Sequence, residues 1–269
     1  MTDRAFEFTG TRGYALSGRL HEPQDATAQW AVFAHCFTCG KDSLAASRIA
    51  RYLIQHGIGV LRFDFAGLGT SGGCFADTTF AADVEDLVAA NAAMIASGKT
   101  PSLLIGHSLG GAAALAAAGS MPNVRAVATI GAPADVKHVL NQFDPAGLQA
   151  IREHGEAEVM LAGRPFLIRK TFLDDLERHD LSASVANLGR GLLVMHSPRD
   201  TTVDIQSAAQ IFAAARHPKS YVSLDDADHL MRKSADAEYA AKLIAAWASH
   251  YLSRAAEPVA ATATTGGAG

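Results

Sequence analysis

Cysteine is scarce in this chain of 269 residues: Cys36, Cys39 and Cys74 are too few, and odd in number, for a disulfide framework. Such sparing use fits a reducing, cytoplasmic setting. Basic runs are missing as well. Lys and Arg number 23 against 27 Asp and Glu, a net charge of −4, which disfavours nucleic acid and anionic membrane as partners. No apolar stretch reaches the roughly 20 residues that span a bilayer; the longest, such as residues 111–119, are strand-sized or Ala-rich. The first residues, Met1-Thr2-Asp3-Arg4-Ala5-Phe6-Glu7, carry acids and no apolar signal core, so no secretory leader is read. No internal repeat is apparent. Charged residues make up only 19% while hydrophobic ones reach 49%, which excludes disorder, collagen and coiled coil for the chain as a whole.

What is present is enough for one large core, since a chain of this size buries about 73% of its extended surface on folding. Phe6-Glu7-Phe8 and residues 14–20 flank Gly10-Thr11-Arg12-Gly13 and predict an opening β-hairpin. Six short apolar runs follow, at residues 31–34, 59–63, 102–105, 126–130, 192–195 and 221–224, each expected to be a strand buried on both faces. Helical stretches at 43–55, 81–96, 109–118, 205–215 and 235–252 separate most of them. The expected class is α/β, a mostly parallel eight-stranded sheet with helices on both faces. Residues 132–190 are too long for a simple crossover and predict a small cap insertion. Within it, residues 156–161 and 165–169 bracket Ala162-Gly163-Arg164 as a hairpin, flanked by helix-like 136–143 and 171–178. Residues 1–255 are read as one domain, and the Ala-, Thr- and Gly-rich residues 256–269 as a flexible tail or linker.

The strongest chemical signal is Gly106-His107-Ser108-Leu109-Gly110, which follows a strand and precedes a helix. In that setting G-x-S-x-G marks a serine on a sharp turn, with small flanking residues that let the backbone fold tightly and present Oγ. Such a serine needs an acid and then a histidine later in the chain. Asp200 lies beyond the strand at 192–195, and its rival Asp204 is better placed to cap the helix that starts near 205. His229 follows the last strand, whereas His217 precedes it and His250 lies far along the terminal helix. Acyl transfer also needs two oxyanion donors: the Leu109 N–H is one, and the loop His35-Cys36-Phe37-Thr38-Cys39-Gly40 offers the Phe37 N–H as the other, unless that loop only joins strand to helix. His35 and His107 are expected to brace loops.

With these residues in hand, the chain resembles serine hydrolases of the α/β-hydrolase superfamily over about residues 5–253. The stretch Arg62-Phe63-Asp64-Phe65-Ala66-Gly67-Leu68-Gly69 also fits. More narrowly, residues 35–42 and 223–230 resemble the hydrolase module of bacterial proteins that carry a C-terminal OsmC-like domain, and the tail resembles the linker leading to it. The resemblance implies the α/β-hydrolase fold, Ser108, Asp200 and His229 as catalytic residues, and no metal or organic cofactor. Cys36 stands where the superfamily's oxyanion loop usually has glycine. The hairpin-bearing insertion is similar in shape to the cap of feruloyl and cinnamoyl esterases. That similarity implies a small-molecule ester substrate with a short acyl or aryl group; thioester, peptide and lactone substrates suit the same three residues.

Two readings of Cys36 and Cys39 stand side by side: thiols that pack beneath the loop, or a redox-responsive pair that sets the oxyanion donor between them. An OsmC-like domain and a second copy of the chain are the protein partners considered. Within the insertion, Phe143, Leu161, Phe166, Ile168 and Phe172 are expected either to wall the acyl pocket or to fasten the cap to the core.

Overall fold

The computed structural model describes residues 2–24 and 29–252; the predicted tail at 256–269 lies outside them. The opening hairpin is β1 (Thr2–Thr9) and β2 (Ala15–Glu22). Then come β3 (Gln29–Ala34), α1 (Leu44–Leu53), β4 (Ile58–Phe63), α2 (Phe80–Ala96), β5 (Pro101–His107), α3 (Leu109–Ala117) and β6 (Ala126–Ile130). The second half holds α4 (Pro145–His154), β7 (Glu156–Leu161), β8 (Arg164–Arg169), α5 (Lys170–Arg178), α6 (Leu181–Ala186), β9 (Gly191–His196), α7 (Gln206–Ala214), β10 (Lys219–Ser223) and α8 (Ser234–Leu252).

Eight strands form one sheet in the order β1-β2-β4-β3-β5-β6-β9-β10, antiparallel at β1–β2 and β2–β4 and parallel from β4 onward. Alternation along the strands sorts side chains into two cores. Val32, Leu61, Phe63, Leu104, Val127 and Val194 pack on one face under α2, α3, α6 and α7. Phe33, Val60, Leu103, Ile105, Ala128 and Met195 pack on the other under α1 and α8. One expectation fails in detail. The last strand, β10, is half-buried rather than enclosed, with Tyr221 exposed, because among the described residues β9 is its one neighbour and it forms the sheet's edge.

Parallel register brings the carboxyl ends of β3, β5, β6, β9 and β10 to one side of the sheet, where loops are free to vary without breaking the ladder. The insertion between β6 and β9 contains the expected hairpin, β7 paired antiparallel with β8 in its own two-stranded sheet. It also contains α4, unforeseen from the sequence, with Asp144 accepting from Gly147 N at 2.7 Å, Pro145 in its first turn and Gly155 left-handed at its end. Among the described residues, no helix is long and apolar enough to cross a membrane.

Candidate active site

Ser108 sits between the last residue of β5 and the first of α3, with φ +56° and ψ −128°. A non-glycine residue is strained there, so its surroundings must hold it. Its N–H donates to the Ile130 carbonyl at 2.9 Å, and its carbonyl accepts from Gly111 N at 2.8 Å. The flanking glycines permit the approach this requires. A Cβ on Gly110 would stand 2.3 Å from the His35 carbonyl oxygen, and one on Gly106 would stand 2.3 Å from the Gly110 carbonyl oxygen. Any larger residue at either place would push α3 off the sheet, which is the physical content of the G-x-S-x-G pattern.

Three loops at the carboxyl ends of β5, β9 and β10 then bring Ser108, Asp200 and His229 together. His229 Nε2 lies 3.0 Å from Ser108 Oγ, and His229 Nδ1 lies 2.6 Å from Asp200 Oδ2. The Asp200 side chain is 2% exposed and that of His229 8%. Burial pushes the Asp200 carboxyl up, but hydrogen bonds from His229 and from the N–H groups of Val203 and Thr202, with the His229 charge, outweigh it and hold the group below its ordinary value. An ionised carboxylate only accepts, so the network assigns the proton to Nδ1 and turns the Nε2 lone pair toward the serine hydroxyl. Asp204 does something else: its Oδ1 accepts from Gln206 N at 2.8 Å, where α7 begins. His107 braces the site as expected, with Nε2 2.6 Å from the His229 carbonyl. His35 braces the loop after β3, with Nδ1 2.8 Å from the Cys36 carbonyl and Nε2 accepting from Phe65 N at 3.4 Å.

A cleft of about 730 Å3 opens over Ser108 and His229 and is bordered by Phe37, Lys41, Thr70 and Arg164 among others. Among the described residues, neither the Phe37 nor the Leu109 N–H has an acceptor. The loop carrying Phe37 is closed by a Cys36–Cys39 disulfide and by a Cys39 N–H donated to the Cys36 carbonyl at 3.1 Å, with Thr38 at φ +58°. The reading of both cysteines as packing thiols is therefore corrected: in this tight turn their Cα atoms are 5.3 Å apart, within disulfide reach.

The sequence reading missed what anchors the far end of this loop. Lys41 N–H and Nζ both donate to Asp64, at 2.7 and 2.5 Å, and Nζ also reaches Thr70 Oγ1 at 2.9 Å. Thr70 N–H donates back to Asp64 at 3.0 Å, so one buried carboxylate ties the loop after β3 to the loop after β4. Asp64 was visible only as part of a matching stretch, because its partner lies 23 residues upstream and meets it only once β3 and β4 are paired. Arg164, at the turn of the β7–β8 hairpin, donates to the Thr38 carbonyl from the other side of the cleft.

The five residues expected on a pocket wall stand elsewhere. None of Phe143, Leu161, Phe166, Ile168 and Phe172 borders this cleft. Strand alternation turns Val159, Leu161 and Ile168 inward, while Met160 and Leu167 face out. Phe143 and Phe172 stack near the Phe37 ring at centroid distances of 6.4 and 5.6 Å, and Phe166 lies 4.7 Å from Phe75. These side chains fasten the insertion to the body, and Phe37 is the aromatic residue that the cluster and the cleft share.

The mostly parallel eight-stranded sheet with its flanking helices agrees with comparison against known proteins. A family model described as "Alpha/beta hydrolase family" matches residues 31–242. The chain belongs to this family. Among solved alpha/beta hydrolase relatives, the esterase domain of a Rhodothermus marinus protein is 48% identical, with TM-score 0.78 over 94% of this chain and 100% of its own. Est1E of Butyrivibrio proteoclasticus, solved with ferulic acid bound, superposes with TM-score 0.78 over 93% of this chain and 100% of its own at 17% identity, a likeness of fold. The mouse mitochondrial palmitoyl-protein thioesterase ABHD10 is 26% identical over 212 residues, 76% of this chain and 70% of that protein.

Proposed function

We propose that this alpha/beta hydrolase is a serine carboxylesterase acting on short acyl or aryl esters through an acyl-enzyme. The observation that carries the reading is the unbroken chain from Ser108 Oγ through His229 to Asp200, with distances of 3.0 and 2.6 Å. Ser108 Oγ attacks the ester carbonyl as its proton passes to His229 Nε2, and Asp200 stabilises the imidazolium. The unbonded N–H groups of Phe37 and Leu109 receive the developing oxyanion. His229 then returns the proton to the departing alkoxide, which leaves as the alcohol. A water molecule then adds to the acyl carbon as its proton passes to His229 Nε2, and the acyl–oxygen bond to Ser108 breaks as His229 gives that proton to Ser108 Oγ, which releases the acid and restores the serine hydroxyl. The cleft of about 730 Å3 over Ser108 and His229 suits a small organic ester. The ferulic acid bound to the structural neighbour Est1E supports hydroxycinnamate-like acyl groups, and the mouse thioesterase makes thioesters the main rival.

Ser108→Ala is the test. On a p-nitrophenyl acyl ester, turnover should fall by several orders of magnitude while the melting temperature holds; activity near wild type would refute the assignment. Acyl chains of increasing length, hydroxycinnamate esters and matched S-acyl thioesters, run on the wild type, then rank the substrate classes.

The disulfide supports a second reading, of a hydrolase gated by thiol chemistry. A dithiol reductant would deliver two electrons and two protons, leaving Cys36 and Cys39 as thiols on either side of the Phe37 N–H while it becomes a disulfide itself.

A further inference from the structure

A polar cavity of about 280 Å3 opens where β1, β2 and β4 meet α1, separate from the cleft over Ser108 and sharing only Asp42 with it. Its buried members are Arg62 on β4 and His21 on β2. A guanidinium carries five N–H donors. Here they meet three acceptors: Nε and Nη2 both face the single lone pair of His21 Nε2, at 3.0 and 2.8 Å, while Nη1 donates to the Lys41 carbonyl and lies 3.4 Å from Asp42. The fork of Nε and Nη2 is the geometry that ordinarily takes two oxygens of one oxyanion.

Charge is unbalanced in the same sense. Arg62 is 3% exposed, yet its carboxylate partner Asp42 is 65% exposed, so among the described residues this buried cation has no buried counter-ion. Arg19 reaches Asp3 and Asp42 only loosely, at 3.7 and 3.6 Å. Arg51, on the last turn of α1, has no carboxylate partner among the described residues. Burial, and next the Arg62 charge, hold His21 neutral down to about pH 4, so the imidazole accepts and adds no charge. Three arginines thus face two exposed aspartates around a hollow. Ser47 completes the lining, which apart from the His21 ring, engaged by Arg62, offers no aromatic or aliphatic wall for a base or an acyl chain.

We propose that this cavity is a binding site for a small oxyanion of the phosphate class, either inorganic phosphate or a phosphomonoester group. The anion adds to the single exposed carboxylate of Asp42 as counter-charge for Arg62, and Arg19 and Arg51 close on it from β2 and α1. The site is independent of the esterase reading and is tested by binding.

Inorganic phosphate and, separately, glycerol phosphate are titrated into the wild-type chain by calorimetry and thermal melting at constant ionic strength. Saturable binding of one anion per chain is expected. At phosphate a hundredfold above Kd the melting temperature should rise by about 5 to 10 °C. Arg19→Gln and Arg51→Gln change exposed residues, so the fold is retained, and each should weaken binding at least tenfold. Asp3→Asn removes a competing carboxylate and should tighten it about two- to fivefold. Whichever probe binds tighter names the source, free phosphate or a phosphomonoester. Melting that sodium chloride shifts equally at matched ionic strength, or arginine variants that titrate like wild type, would overturn the proposal.

Discussion

Asp200→Asn puts the proposed proton path under the most direct strain, because its effect follows from hydrogen-bond bookkeeping at a single carboxylate. Asp200 Oδ1 accepts from two backbone N–H groups, Thr202 at 2.8 Å and Val203 at 2.9 Å, and Oδ2 accepts from His229 Nδ1 at 2.6 Å. Asparagine has one acceptor oxygen and one donor nitrogen. If the amide oxygen took the histidine, the NH2 would face two backbone donors in a buried pocket, leaving three donors in conflict. Oxygen toward the backbone and NH2 toward His229 is the arrangement that satisfies the most groups. It reverses the imidazole: Nδ1 must accept, the ring proton moves to Nε2, and the lone pair that faced Ser108 Oγ is gone.

A substitution that keeps size and packing should therefore cost roughly 10⁴ in turnover, about 5 kcal/mol of barrier, as loss of the correct tautomer does in other serine hydrolases. The assay is steady-state hydrolysis of a p-nitrophenyl ester, with urea unfolding to show that the variant is folded. KM should hardly change, since Asp200 does not border the cleft. A folded Asp200→Asn enzyme within tenfold of wild-type kcat would refute the tautomer argument and with it the role of Asp200.

His107 gives a stability prediction whose sign is set by burial. Burial first, and then the neighbouring His229, lower its pKa from 6.5 to about 4, so between those values the unfolded chain binds a proton that the folded chain refuses, and stability drains as pH falls from 6.5, by about 3 kcal/mol near pH 4. His107→Gln keeps a donor for the His229 carbonyl and cannot titrate, so urea midpoints of wild type and variant should converge toward acid pH; parallel pH dependences would show that His107 is not responsible. For the loop cysteines, activity is titrated against a dithiol couple with Cys39→Ser as control. An oxyanion donor is worth roughly 3 to 4 kcal/mol, so gating through the Phe37 N–H predicts a change of about a hundredfold across the titration, and a flat response would leave the disulfide a structural staple.

Much of this site was legible because its signals are local or positional. Leu103-Leu104-Ile105 announces a strand enclosed on both sides, and the glycines at 106 and 110 announce a turn that tolerates no side chain. Asp200 and His229 were found by a rule of place, each on a loop beyond a sheet strand, and hydrogen bonding rather than composition separates Asp200 from Asp204. What stayed hidden depends on which surfaces meet. An apolar residue in the insertion reads the same whether it faces a ligand or another side chain, and Phe143 and Phe172 face Phe37. α4 was masked because Ile151 alone of its residues is buried, so it lacks an apolar stripe, although its caps at Asp144 and Gly155 were in plain view.

The cysteines expose a different limit. Compartment and cysteine count describe the average thiol of a protein, whereas pairing depends on the separation that one particular turn imposes. In the turn between β3 and α1 that separation suits a bond, and Phe37 lies between the two sulfur-bearing residues with its N–H unbonded and its ring in the aromatic cluster. The Arg164 contact from the hairpin and the Asp64 anchor at Lys41 hold the same loop from two further directions. A perturbation at any of the three would reach the proposed oxyanion donor before it reached Ser108, His229 or Asp200. Substrate preference and rate in this alpha/beta hydrolase are thus expected to respond together to changes in the insertion.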